Sequence, residues 1–336
     1  MTITMADVRG HPVFQTLNPV GKDFMQDRML SKHLNRFVEY GIEIYGLIPF
    51  GIFPHIKTIA TIEMMLEDFA EGRYEGKHTL VVDSSGNTGD AAARLAPAFG
   101  FKNIKVVLAT DVPKSKQGIL SALSTVKIIA VPGSVAECAI EEGSHPGHFH
   151  LNQYAHMGNM HAHEMHTGPA IIRVLGGELA VVAIAMGSGG TAAGVGKYLK
   201  QHYPHIKVIG VRPKLGEQVP GARDERRMAE VVRLPWRGYV DAVIDVSRKD
   251  AFIATRRLWS EMEPRPGPTS GLAYAGLLDY LGSLHPSDYV NLENIRPALY
   301  ERLEGLHGYK AAFICPDDGR FYTDLFAAEL DTDQGV

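Results

Sequence analysis

Two glycine-rich turns carry the strongest chemical signal in the chain. The first is Ser84-Ser85-Gly86-Asn87-Thr88-Gly89 and the second is Gly187-Ser188-Gly189-Gly190-Thr191. Each lies between a short apolar run and a segment with helical spacing. A strand that ends in such a turn and opens a helix aims several backbone N–H groups at one spot. The positive end of the helix dipole adds to the field there, so phosphate and carboxylate groups bind well. Two such turns suggest one anionic cofactor and one small acid. In the second turn the glycines let the backbone approach a ligand closely. Thr191 adds a hydroxyl, and Ala192, Val195 and Leu199 give the next helix a buried stripe. Taken alone, each turn also fits a plain strand–helix connection or a nucleotide site of another kind.

The elements that must position these turns are legible as short, nearly continuous apolar runs. They cover residues 42–47, 79–83, 104–109, 126–131, 179–186, 206–211, 242–246 and 311–315. Each is too short for a buried helix and rich in Val and Ile, as parallel strands covered on both faces are. Helical spacing occupies residues 59–69, 90–99, 117–123, 191–203 and 251–262 between them. Alternation of this kind predicts an α/β fold with right-handed crossovers. Residues 216–238, rich in charge, Gly and Pro, read as a long irregular excursion that could form a lid.

Composition narrows the function. The chain has 336 residues, enough for two domains or one large α/β unit. A net charge of −4 gives no reason to expect nucleic acid or an anionic membrane as partner. Cys138 and Cys315 are the two cysteines, so no disulfide framework is indicated and a reducing cytoplasm fits. The N-terminal residues lack an apolar signal core and no run approaches a membrane span, so a cytoplasmic protein is expected.

The order Ser84-Ser85-Gly86-Asn87-Thr88-Gly89-Asp90 followed by Ala91-Ala92-Ala93 closely resembles the substrate-binding loop of the cysteine synthase and cystathionine β-synthase family, pyridoxal-phosphate enzymes of fold type II. The second turn, continued by Ala192-Ala193-Gly194-Val195-Gly196, resembles that family's phosphate cradle. Gln153-Tyr154, then His163 and Thr167-Gly168-Pro169, resemble the stretch that closes on the substrate carboxylate. Gly267-Pro268-Thr269-Ser270-Gly271 resembles the turn beneath the pyridine ring, and Cys315-Pro316-Asp317-Asp318-Gly319-Arg320-Phe321-Tyr322 the family's last strand and its ending. The matches run in family order from about residue 40. The chain departs from the pattern at Ile48, where Asn is usual, at Thr58, where Asp is usual, and in a longer lysine loop.

The resemblance implies a tryptophan synthase β-like fold of two three-layer α/β domains with mainly parallel sheets. The smaller domain would span residues 48–155 and the larger, cofactor-binding one residues 12–47 and 156–330. It implies pyridoxal 5'-phosphate bound as a Schiff base to Lys57, which follows Pro49-Phe50-Gly51-Ile52-Phe53-Pro54-His55-Ile56. Gly187, Ser188, Gly189, Gly190 and Thr191 would hold the phosphate, Asn87 the ring oxygen and Thr269 the pyridine nitrogen, with Ser270 as the alternative. Ser84, Ser85, Thr88 and Gln153 would hold the substrate carboxylate. A neutral hydroxyl at the ring nitrogen makes the ring a weaker electron sink than a carboxylate would, which suits prompt loss of a β-substituent. The implied reaction is β-replacement on O-acetylserine or O-phosphoserine with a thiol or sulfide, through an α-aminoacrylate, in a homodimer. Lys57 would serve as general base. A dehydratase or desulfhydrase performing β-elimination, or an inactive regulatory homologue, is the alternative.

Two further features bear on specificity. Residues 216–223 replace the small, Gly-rich stretch that lies over the substrate in acetylserine enzymes, and Arg212 and Arg223 flank that region. An arginine near the leaving group would favour an anionic one such as phosphate; the plain alternative is that Arg223 faces solvent. His145, His148, His150, His156, His161, His163 and His166 crowd one segment. Their spacing matches no HExxH or finger pattern, so structural or substrate-lining roles are expected and no required metal.

Overall fold

The computed structural model describes residues 3–38, 41–50, 54–84, 86–110, 112, 114–283 and 309–326. Ser85 and the Gly51-Ile52-Phe53 part of the lysine loop lie outside the described residues. Ten strands are described: β1 (Gln26–Met29), β2 (Ile42–Ile48), β3 (Thr79–Asp83), β4 (Asn103–Ala109), β5 (Val126–Val131), β6 (His148–His150), β7 (Leu179–Ala185), β8 (Lys207–Pro213), β9 (Ala242–Val246) and β10 (Tyr309–Ile314). The helices are α1 (Met5–Gly10), α2 (Pro12–Leu17), α3 (Lys57–Ala70), α4 (Asn87–Leu95), α5 (Lys114–Ser121), α6 (Val135–Ser144), α7 (Gly158–Ala162), α8 (Gly168–Leu175), α9 (Gly190–His202), α10 (Glu225–Val231), α11 (Arg248–Leu258) and α12 (Pro268–Ser283). None is long and apolar enough to cross a membrane among the described residues.

The strands form a six-stranded sheet in the order β1-β2-β10-β7-β8-β9 and a four-stranded sheet in the order β5-β4-β3-β6. All pairings are parallel except β1 with β2. The continuous apolar runs have a simple cause. Side chains alternate between faces of a strand, and in the central strands both faces are buried. Val182, Ile184, Ala312 and Ile314 enter one core, whereas Val181, Ala183, Ala311 and Phe313 enter the other beneath α11 and α12.

Two strands escaped the sequence reading. β1 is mostly exposed and β6 is His-Phe-His. Both are edge strands, held by backbone pairing rather than by two buried faces. The irregular reading of residues 216–238 also needs correction. They contain α10 and a 3-10 turn, Trp236–Gly238. Asp224 caps α10 by accepting from the Arg227 N–H at 2.8 Å, and its other oxygen accepts from the Gly216 N–H at 2.9 Å. One capping carboxylate thus closes the loop and starts the helix.

Candidate functional site

The carboxyl ends of β3, β7 and β10 converge on one narrow cleft of about 60 Å³, where open α/β sheets usually bind ligands. Lys57, Ser84, Asn87, Thr88, Gln153, Gly187, Ser188, Gly189, Thr191 and Thr269 all line it. Gly190 begins α9 just behind the wall. A wider vestibule of about 590 Å³ shares Ser84, Tyr154, Gly221 and Arg223 with the cleft.

Lys57 is the first residue of α3, and the preceding Ile56 N–H donates to the Pro316 carbonyl at 2.8 Å. That bond ties the lysine to the loop after β10. Its side chain crosses to the second turn, where Nζ donates to Ser188 Oγ at 2.9 Å. Burial, followed by the charge of Arg223, lowers the ammonium pKa to about 8. The amine is therefore available near neutral pH. Labelling of cofactor-free protein by an amine-selective reagent should show one lysine reacting with a midpoint near pH 8 instead of about 10.4. Arg223→Ala should raise that midpoint. The unfolded lysine keeps its proton when the folded one has lost it, so the destabilisation by this group fades as pH rises above about 8.

The second turn is shaped by close approach. Gly189 has φ +78°, a backbone conformation that side chains disfavour. A Cβ on Gly187 would lie 2.3 Å from the Gly221 carbonyl oxygen, and one on Gly190 would lie 2.2 Å from Asn159 Oδ1. Thr191 Oγ1 lies 3.1 Å from His163 Nε2, whose Nδ1 faces Thr167 Oγ1 at 2.9 Å. Burial, then Lys57 and His166, hold the His163 pKa well below its usual value. A neutral ring therefore orients the Thr191 hydroxyl.

On the facing side, Asn87 opens α4 and its Nδ2 donates to Asp317 Oδ2 at 2.6 Å. Thr88 Oγ1 donates to Gln153 Oε1 at 2.8 Å, and Gln153 Nε2 donates to the Asp83 carbonyl at 3.0 Å. Ser84 Oγ accepts from the Gly86 N–H at 3.2 Å. An arriving carboxylate would have to compete with the Thr88–Gln153 bond. Thr269 lines the cleft, whereas Ser270 lies buried beside the Cys315 thiol.

Several contributors were invisible as motifs. Asn159 Nδ2 donates to Ser188 Oγ at 2.9 Å and to the Gln153 carbonyl at 2.7 Å, joining the two halves of the site. Asp317 accepts from Tyr322 OH as well as from Asn87, and its Oδ1 is buried without a partner. Glycine at 267 permits this, because a Cβ there would lie 2.2 Å from Oδ1. Asp317 follows the last strand within the Cys315–Tyr322 motif, but nothing local marks it as an Asn87 partner.

The arginines separate. Arg223 lies over the Tyr154 ring at 4.3 Å and lines the cleft, so the solvent-facing alternative does not hold. Arg212 is instead bound bidentately to Asp245 at 2.8 and 3.1 Å, away from the cleft lining. The histidines separate too. His150 faces Asp83, His156 faces Asp68, His161 faces Glu67 and His163 joins the cradle.

The sequence matches the family described as "Pyridoxal-phosphate dependent enzyme" over residues 57–292. It is 26% identical to cysteine synthase B of Escherichia coli (strain K12) over 245 residues, covering 71% of this chain and 79% of that protein. The fold is similar to that of O-ureido-L-serine synthase, with a TM-score of 0.75 at 20% identity and 94% of each chain covered. It is also similar to the O-acetylserine dependent cystathionine beta-synthase from Helicobacter pylori, with a TM-score of 0.69 at 23% identity, covering 96% of this chain and 98% of that one.

Proposed function

The chain belongs to the pyridoxal-phosphate dependent enzyme family, and on that premise we propose that it catalyses β-replacement on an O-substituted serine with a thiol or sulfide as nucleophile. It is an enzyme of fold type II whose cofactor is pyridoxal 5'-phosphate. The same reading divides the chain into a smaller unit, residues 48–155, and a larger one, residues 12–47 and 156–330. The observation that carries the reaction is the half-buried Lys57 amine, set between the glycine turn and the Thr88–Gln153 pair.

The residues present fit the cofactor. The second turn has room for a phosphate only because its glycines carry no side chains, and it opens the N terminus of α9. The unpartnered Asp317 Oδ1 adds a buried acceptor in the same cleft. Residues 187–191 would hold the phosphate, Lys57 the carbonyl carbon, Asn87 the ring oxygen and Thr269 the ring nitrogen. When bound, the cofactor supplies an electrophilic carbonyl and a ring that draws electron density from the substrate α-carbon.

The protein's own groups do the rest. Ser84, Thr88 and Gln153, with Ser85, orient the amino-acid carboxylate at the start of α4. Lys57 Nζ would take the α-proton; its lowered pKa leaves it neutral often enough to act as base near pH 8. Ser188 Oγ accepts from Nζ and keeps it on one side of the cleft. The β-substituent would depart with its bonding electrons, the nucleophile would add at the same carbon, and Nζ would return the proton to the α-carbon. Incubation of the holoenzyme with O-acetylserine or O-phosphoserine and sulfide, followed by mass analysis, should give cysteine. Equal yields of pyruvate and ammonia with and without sulfide, and no cysteine, would favour β-elimination and sink the replacement reading.

One observation favours an anionic substituent on the serine. Arg223 faces the cleft with its guanidinium over Tyr154, and no carboxylate pairs with it among the described residues. A charge-assisted hydrogen bond to a phosphate contributes about 1.5–3 kcal/mol, or about 10- to 160-fold. Arg223→Ala should therefore reduce kcat/KM for O-phosphoserine by about that factor and leave O-acetylserine turnover less affected. A wild-type preference for the acetyl ester, unchanged in the variant, would remove this reading.

A further inference from the structure

Glu142, His145 and His148 come together at a turn remote from the cleft lining. α6 ends just after Glu142, His145 caps it, and the chain reverses at Gly147 (φ +75°) to enter β6 at His148. One ligand atom from each of the three side chains lies within 4.8 Å of the others. His145 Nδ1 is 3.6 Å from Glu142 Oε2, and the His145 and His148 ring centroids are 5.4 Å apart. Among the described residues no other group of three such side chains meets this spacing.

Three details favour a cation here. First, His148 Nδ1 lies 2.6 Å from the Glu142 carbonyl oxygen. That bond fixes the ring and the tautomer in which Nε2 keeps its lone pair, the usual arrangement of a metal-binding histidine. Second, Lys105 Nζ donates to Glu142 Oε2 at 2.6 Å, which holds the carboxylate in place beside the His145 ring. Third, His78 adjoins the group. Its ring centroid is 6.1 Å from that of His148, and a Cβ on Gly147 would lie 2.2 Å from His78 Nε2. Glycine at 147 lets that imidazole approach. His78 and His145 are exposed, so the site is open to solvent and these two rings are free to adjust.

We propose that Glu142, His145 and His148, with His78 as a fourth ligand, bind a divalent transition metal such as zinc. Imidazole nitrogens with one carboxylate are a ligand set that zinc, nickel and copper favour over magnesium or calcium. Ligand atoms of a tetrahedral zinc site stand about 3.4 Å apart, given metal–ligand distances of about 2.1 Å. Closing from 4.8 Å falls mainly to the exposed His145 and His78 rings, because His148 and Glu142 are half-buried and held by hydrogen bonds. The metal would clamp the end of α6 to the edge strand β6. It is not needed for turnover, because β6 itself lies outside the cleft. Lys105 opposes it: its ammonium sits on the carboxylate the metal would share.

The test is a calorimetric zinc titration of chelator-treated holoenzyme, with thermal unfolding followed in parallel. One zinc should bind per chain and raise the unfolding midpoint, while cysteine-forming activity stays unchanged by the chelator. His145→Ala, an exposed substitution that leaves packing intact, should weaken binding at least 10-fold, and His148→Ala should weaken it further. Lys105→Met should tighten it. Absence of one-to-one binding, or an affinity unchanged in His145→Ala, would overturn the proposal. A failure of His148→Ala to fold leaves the His145 and Lys105 variants to decide it.

Discussion

Lys57→Ala is expected to reduce turnover by about 10³-fold or more, because on the proposed function one substitution would remove both the covalent tether of the cofactor and the base that moves the α-proton. Among the described residues Lys57 is the only lysine that lines the cleft. Its Nζ lies 2.9 Å from Ser188 Oγ at the mouth of the glycine turn, and its pKa is lowered to about 8 by burial and by Arg223. Borohydride reduction of the wild-type holoenzyme should leave one cofactor-modified peptide, containing Lys57, and none in the variant. A modified peptide mapped to another lysine would refute the assignment. Because α3 begins at this residue and its buried face starts at Thr58 and Ile59, alanine should leave the fold intact. Unchanged circular dichroism is the control that separates lost chemistry from lost structure.

Gly189→Val should have the second-largest effect, on cofactor retention. Gly189 has φ +78°, and a Cβ there would lie 3.0 Å from the Trp236 indole. A β-branched residue is poorly accommodated at positive φ, at a cost of about 1–2 kcal/mol or more. The turn must then open, and the N–H groups at the start of α9 lose their common aim. Cofactor occupancy, read from visible absorbance after dialysis, should fall to a small fraction of wild type. A Gly189→Val protein with full occupancy would place the phosphate elsewhere. Thr191→Val is the milder comparison. It removes the hydroxyl that faces His163 but leaves the backbone path alone, so partial retention is expected.

The parts of this protein that the sequence alone determined are those whose cause is local. Eight of its strands were legible as apolar runs, the central ones because both faces are buried and the edge strands β5 and β9, only partly covered, because their Val and Ile side chains still pack against the cores. The two glycine turns were legible because a strand, a backbone reversal and a helix start follow one another within a few residues. Lys57 and Thr269 were legible by their place in short motifs, and the structure brings both to the cleft.

What only the tertiary structure decided are the pairings between distant segments. Asp317 meets Asn87 across 230 residues, and Thr88 meets Gln153 across 65. Asn159 bridges to Ser188, and Arg223 lies over Tyr154 while Arg212 is bound by Asp245. The histidines looked like one cluster along the chain, yet they divide among several places: His150 at Asp83, His156 and His161 together at Glu67 and Asp68, His163 at Thr191, and His145 with His148 at Glu142. The edge strands β1 and β6 belong here as well, since pairing with β2 and β3, not their own hydrophobicity, makes them strands. The physical reason is common to all. A polar side chain's partner is chosen by which surfaces burial forces together, and an unpaired buried group costs more than a local preference can offset. Side-chain chemistry is written residue by residue, but which groups share a cleft depends on how two sheets and their connecting helices close on one another.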